Sequence, residues 1–270
     1  MGFNTLDDVV SKLPGQQQLF FKGGSLTVGS PGYYRDTWLD QGTFVGTLTD
    51  ILSANQGGTW YTASHAGAWR FANPNSASAE SCCIGRVQVW GKVPSDTLLL
   101  YDRVWACRGI HANTTATFNV ASLAFVRSFD ATKAELWAWI AAPIGNTAAN
   151  LTINYIDASD TNRTVTITRP FVGSLFLNIT TKLQGLPVNA QGIKRVTSGA
   201  LSAGTGAAGD LGLVMRVPFL VAPIGYGLGT LDALGTGLVT VSSDQVFEMV
   251  FNSSTVQFDQ VGMILNLITK

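Results

Sequence analysis

Charge is what this sequence has least of. Only 13% of its 270 residues are charged, and 17 basic side chains cancel 17 acidic ones. A net charge of zero with no basic run excludes a direct grip on a phosphate backbone, which needs several Lys or Arg side chains to displace counterions. Histidine occurs twice, at His65 and His111, and cysteine three times, at Cys82, Cys83 and Cys107, with no CxxC spacing. That set is poor for zinc. Cys82 and Cys83 are adjacent and cannot bridge without backbone strain, so the thiols are expected to be buried, free and reduced. No apolar run reaches the length of a membrane span, and Asp7 and Asp8 stand where a signal peptide would carry bases. The expectation is a chain made in the cytosol and left unprocessed, with no membrane and no cofactor.

Catalytic motifs are missing too. GxSxG, HExxH and GxxxxGK[ST] do not occur, and GYGLGT near Gly225 follows no strand-to-helix pattern. Glutamate is present only at Glu80, Glu135 and Glu248, and most aspartates sit in turn contexts such as SFDAT and DASDT. A paired-carboxylate glycan hydrolase therefore ranks below a protein that is no enzyme. Asn-x-Ser/Thr triplets at Asn113, Asn150, Asn162, Asn178 and Asn252 read as turns and Thr-rich strand faces. Trp60, Tyr61, Trp69, Trp137 and Trp139 could stack on sugars if exposed, although Trp137 and Trp139 share a strand face and cross-strand packing is the commoner use.

What is abundant is glycine, at 29 residues, with short apolar runs rich in Val, Ile, Thr and aromatics. About ten such runs, among them RVQVWGKV, TLLLYDRVWA, ELWAWIAA, DLGLVMRV and QVFEMVF, are separated by Gly, Asn, Asp and Pro turns. They predict an all-β antiparallel β-sandwich, jelly-roll-like, with no βαβ alternation. Ahead of it, Leu6, Val9, Val10 and Leu13 recur at helical spacing, and Pro14-Gly15 ends the run. From Gln16 to about Gly58 aromatics alternate with glycines, as an extended arm would. The chain is thus divided into an N-terminal helix and anchoring arm over 1–58 and a sandwich body over 59–270. Ser198 to Asp210 reads as a small-residue hairpin, and Pro218 to Gly237 as an apolar loop.

LLLYDRVWACRGIH, from Leu98 to His111, gathers the most polar chemistry. Strand alternation puts Asp102 with Leu98, Leu100 and Val104, and Arg103 with Leu99, Tyr101 and Trp105. Asp102 and Arg103 are therefore structural polar residues. Asp102 requires a buried partner, a backbone donor or an arginine such as Arg86. Cys107 to His111 are expected in the following turn.

In layout, FNTLDDVVSKL, GYYRDTWLDQGT, LLLYDRVWACRGI, NTTATFNV, AELWAWIAA and ALSAGTGAAGDLGLVM together resemble the capsid decoration (cement, or auxiliary head) proteins of tailed bacteriophages, over roughly Phe3 to Leu213. The vicinal cysteines and the run after Pro218 depart from that pattern. The resemblance implies a structural virion protein on the outer capsid surface, a homo-oligomer (a trimer is plausible) whose partners are the major capsid protein and itself. Phe3, Leu6, Val9, Val10, Leu13, Phe20, Phe21, Tyr33, Tyr34 and Trp38 would make the shell or subunit contacts. The alternatives are a receptor- or glycan-binding phage tail protein and the coat protein of a small icosahedral virus.

Overall fold

A computed structural model describes residues 17–27, 34–36, 41–42, 58–62, 64–65, 82–91, 97–121, 124–168, 179–182, 192–223, 228–231, 239–242, 244–252 and 257–269. Their regular structure is all strand, and no helix occurs among them. In chain order the strands are β1 (Gln17–Thr27), β2 (Tyr34–Asp36), β3 (Gln41–Gly42), β4 (Thr59–Trp60), β5 (Cys82–Gly91), β6 (Thr97–His111), β7 (Phe118–Asn119), β8 (Glu135–Ala142) and β9 (Leu151–Ile156). They continue with β10 (Asn162–Ile167), β11 (Ile179–Lys182), β12 (Arg195–Leu201), β13 (Asp210–Pro223), β14 (Leu228–Leu231), β15 (Thr240–Val241), β16 (Phe247–Asn252) and β17 (Gln257–Thr269). The all-β, antiparallel expectation holds. The proposed N-terminal helix, with Phe3, Leu6, Val9, Val10 and Leu13, lies outside the described residues, as do Tyr33, Trp38 and Trp69.

Three sheets are built. One runs β14, β5, β17, β1, β3, with β15 also on β5; a second runs β10, β9, β12, β7. The third runs β13, β8, β11, β2, β16, β6, with β4 also paired to β6, and β13 pairs again with β6. That last pairing, from Asp210↔His111 to Pro223↔Thr97, closes six strands into a ring. Closure leaves these strands with an inner face and an outer face, both covered. They accordingly read as near-continuous apolar runs: five consecutive residues of β8 are buried, and so are the first five of β16. In the second sheet β9 alternates buried with half-buried positions, as a strand with one wet face does.

Side-chain parity assigns the two faces of the ring. Tyr101, Trp137, Trp139, Val214 and Val250 share one cluster inside it, with Tyr34 and Leu99 packed against them. Leu98, Leu100, Leu136, Ala138, Leu213, Met215, Phe247, Met249 and Phe251 point outward into the larger core, which also takes Val87 and Val89 of β5 and Met263 and Leu265 of β17.

Two irregularities in β6 decide where its charges go. Trp105 faces Met215 while Arg103 faces the next residue, Arg216, so one extra residue of β6 is accommodated there. A bulge of this kind reverses the alternation: Arg103 points inward with Leu99 and Tyr101, but Trp105 points outward, against the simple period-two expectation. A second register shift, at Leu211/Gly212, leaves Gly109 as the extra residue with φ of 93°. Cys107 to His111 are therefore strand residues, and the expected turn begins only after His111.

Two further expectations change. Pro218 to Pro223 belong to β13, and Leu228 to Leu231 form β14, so this tract is partly strand rather than one loop. Ser198 to Asp210 is no hairpin: β12 and β13 belong to different sheets, and the link is tied down by Thr205 N–H to Ala112 O and Ala112 N–H to Gly209 O, at 2.8 and 2.9 Å. Within 1–58, β1 pairs with β17 from Gln17↔Asn266 to Thr27↔Gln257, and β2 completes the ring between β11 and β16. These two pieces are woven into the sheets of 59–270.

Candidate functional site

The densest polar constellation is inside the ring. Arg103 of β6, Arg216 of β13, Asp36 of β2 and Glu248 of β16 meet there, and all four side chains are at most 2% exposed. Their positions follow from register: Arg103 lies opposite Arg216, and the ring brings β2 and β16 alongside. Arg216 donates from Nη2 to Asp36 Oδ2 and to Glu248 Oε1, both at 2.7 Å, and from Nε to Glu248 Oε2 at 3.0 Å. Arg103 Nη1 donates to Asp36 Oδ2 at 3.2 Å and Glu248 Oε1 at 3.1 Å. Two cations and two anions cancel, which is the condition for keeping four charges out of water.

Aromatic rings wall the cluster. The Arg103 guanidinium lies 4.9 Å from the Tyr61 centroid and 5.9 Å from that of Trp139; Arg216 lies 5.1 Å from Trp137. Such contacts strengthen when desolvated. At the rim, Glu135 Oε2 accepts from Trp137 Nε1 at 3.1 Å and from Tyr101 Oη at 3.4 Å. Burial, reinforced by Glu135, drives the Tyr101 hydroxyl far above its ordinary range. Burial likewise pushes Glu248 up, opposed chiefly by Arg216. Arg216 itself is raised: desolvation pulls it down, but the Glu248 and Asp36 carboxylates outweigh it.

Asp102 points to the outer face and is also buried. Its carboxylate takes Arg127 in a fork, Nη1 to Oδ2 at 2.8 Å and Nη2 to Oδ1 at 2.5 Å, and the Val246 amide at 2.9 Å. The cation is Arg127 from the loop before β8, not Arg86. Arg127 also donates to the carbonyls of Tyr61 and Arg103, at 2.8 and 3.1 Å, so one side chain ties β6 to the segment after β4. Burial raises the Asp102 pKa, against the bonds from Arg127.

Chemically, this arrangement locks strands together. Both cluster carboxylates are engaged by a cation. A smaller group lies at the Gly109 bulge: Asp210 Oδ1 accepts from the Gly109 amide at 2.6 Å, beside Arg108 and the exposed His111. Burial raises Asp210, against that amide and the two bases. Among the described residues no three His, Cys, Asp or Glu side chains cluster so as to hold a metal, and no helix is long and apolar enough to cross a membrane. Cys82, Cys83 and Cys107 are buried and free.

Of the sequence-predicted contact residues, Phe20 and Phe21 fall in β1, where only the backbone is described. Tyr34 is half-buried, and its ring meets Trp137 edge-on at 5.2 Å. Trp60, Tyr61, Trp137 and Trp139 are all buried, which removes them as sugar-stacking surfaces. Asp36, Arg127 and Arg216 escaped the sequence reading, and Glu248 entered it only as a scarce glutamate. The signal for two of these is a single charge inside an apolar strand: Arg216 in LVMRVPF and Glu248 in VFEMVF. Charges so placed are almost never left buried without one another.

Neither a scan against known protein families nor a search of curated proteins finds a match. Among solved structures the chain is similar to the infectious bursal disease virus VP2 subviral particle at 10% identity, over 94% of this chain and 81% of that one, with a TM-score of 0.21. The Gx strain of infectious bursal disease virus gives 10% identity, the same two coverages and a TM-score of 0.19. Scores this low do not amount to a shared fold.

Proposed function

We propose that this chain is a structural virion protein that binds the outside of a phage capsid and stabilises it by clamping neighbouring coat subunits. The observation that carries the reading is the use made of charge. In a chain with so few ionisable groups, Arg103, Arg216, Asp36, Glu248, Asp102 and Arg127 are spent inside, bolting one strand to another. A protein that works by rigid area rather than by reactivity has that distribution. A clamp lowers the free energy of the assembled shell by burying area across subunit seams, and a chain of zero net charge suits an outer position better than a genome-facing one. The sequence layout shared with cement proteins points the same way.

In this reading the ring and its flanking sheets form a jelly-roll-like sandwich body, and the segment before Gln17 supplies the anchoring helix with Phe3, Leu6, Val9, Val10 and Leu13. The partners are the major capsid protein and further copies of the chain. The glycan-binding alternative is disfavoured by the burial of Trp60, Tyr61, Trp137 and Trp139.

The test is to add purified chain to shells stripped of accessory proteins. Saturable binding to the shell exterior by electron microscopy, with a higher temperature of shell disruption, is expected. Localisation to the tail, or no binding, overturns the proposal. Closed shells formed by the purified chain alone would replace it with the coat-protein reading.

A further inference from the structure

The ring is not equally tight all the way round. β6 and β13 share a ladder from His111↔Asp210 to Thr97↔Pro223, and β13 and β8 share one from Asp210↔Ala142 to Arg216↔Glu135. β2 is held more lightly: Tyr34 and Arg35 pair with Thr180 and Ile179 of β11, and Tyr34, Arg35 and Asp36 pair with Asn252, Phe251 and Val250 of β16. The course of the chain sets this strand apart as well. β2 lies in sequence between β1 and β3, which pair with each other in a different sheet at Lys22↔Gly42 and Gly23↔Gln41. The chain thus leaves the first sheet, contributes a strand of 3 residues to the ring, and returns to pair with the strand it left.

Those residues carry what the slot between β11 and β16 demands. Asp36 answers two arginines, Arg216 at 2.7 Å and Arg103 at 3.2 Å, and the Tyr34 ring stands edge-on to Trp137 at 5.2 Å. With β2 out, Glu248 would be the one carboxylate of the cluster left to both arginines, and a buried charge without its counter-charge is costly. The slot therefore selects an extended segment that pairs along β16 and brings a carboxylate to the same point. The segment with that fit is 34–36, and every copy of the chain carries it. Backbone pairs, ring contact and ion pairs given up in one ring are regained in another, which makes exchange of an identical element a low-cost route to a dimer.

We infer that β2 is exchanged between copies of this chain: Tyr34–Asp36 of one copy completes the ring of a second, with its Asp36 between that copy's Arg103 and Arg216, and the second copy returns its own β2. The chain's own strand competes at the millimolar effective concentration of a short tether. Dilute copies therefore close on themselves, and exchange gains where rings form while copies are held close. The connection from Asp36 to Gln41 is short, and a chain spans at most about 3.5 Å per residue, so exchanged copies pack directly against each other. The exchange is a property of the ring and does not rest on the virion reading.

Refolding of the full chain tests this. Wild type refolded from urea at millimolar concentration is expected to yield a dimer with a native far-UV spectrum that persists on dilution in sedimentation, whereas refolding at micromolar concentration yields monomer. A cysteine pair identifies the exchanged element, because Tyr34 and Asn252 stand directly opposite each other, within the reach of a disulfide. Chains with Tyr34→Cys and with Asn252→Cys are refolded together under reductant and oxidised after folding, when Cys82, Cys83 and Cys107 are buried. Linked heterodimer is expected at roughly ten times the yield obtained when Tyr34→Cys is refolded with Val221→Cys, whose position is exposed but lies in β13. Monomer at every refolding concentration overturns the inference. So does a dimer without the link between chains, or a link no more abundant than with Val221→Cys, which is collisional.

Discussion

Replacing Arg127 with methionine isolates the energetics of the buried anchor. The substitution keeps most of the side-chain length and removes the guanidinium. Asp102 loses both arms of its fork and retains only the Val246 amide, while the carbonyls of Tyr61 and Arg103 each lose a donor. Both partners are nearly sealed from solvent, at 4% and 2% exposure, so screening does not soften the loss. Removing one member of a buried pair costs about 3–5 kcal/mol, and the two carbonyls add up to about 1 kcal/mol each where water cannot replace the donor. Protonation limits the total, because Asp102, already raised by burial, takes up a proton at a cost of about 1.4 kcal/mol per pH unit.

Urea unfolding followed by tryptophan fluorescence at neutral pH measures this loss. With a slope of about 3 kcal/mol per molar urea, the midpoint should fall by about 1–1.5 M. The double variant Arg127→Met, Asp102→Asn removes the stranded charge and should recover about 2 kcal/mol relative to the sum of the single variants. A single-variant loss below about 1 kcal/mol, or a double variant as costly as that sum, would refute the ion-pair reasoning.

Deleting residues 1–58 removes β1, β2 and Asp36 together, leaving Arg103 and Arg216 with less negative charge between them in an open ring; the remainder should show no cooperative melting by circular dichroism, whereas deleting 1–15 should preserve it. Burial holds Glu248 and Asp102 above their ordinary values of 4.5 and 3.8, so the folded state binds their protons more tightly. The stability from these two groups is complete below those ordinary values and is lost as pH rises through the folded ones. The urea midpoint should therefore hold or rise from pH 7 to pH 5, and a clear fall would contradict this. Burial and the neighbouring Cys83 push the Cys82 thiol up to about 11, so a thiol reagent should leave the native chain unlabelled and modify its three cysteines only on unfolding. Gly58 has φ of 80°, and a Cβ there would lie 2.5 Å from the Ala106 carbonyl oxygen; Gly58→Ala should cost about 1–3 kcal/mol, read as a lower melting temperature.

Strand content, antiparallel character and the inward habit of the apolar runs were determined by the sequence alone, because period-two patterning, β-branched residues and turn punctuation are local properties. The need of Asp102 for a partner was equally legible, since a carboxylate on an apolar face cannot remain unbonded. Its partner was not, because Arg127 lies on a loop whose path depends on how β4, β6 and β8 assemble. Nor could period two anticipate the bulge that parts Arg103 from Trp105: one extra residue in β6 inverts the alternation after it, and the strand it is fitted against is β13, more than a hundred residues later. The union of Asp36, Arg103, Arg216 and Glu248 was decided only by closure of the ring. Four charges on four separated strands become a neutral cluster when long-range pairing places them within bonding distance, and no local pattern encodes that pairing.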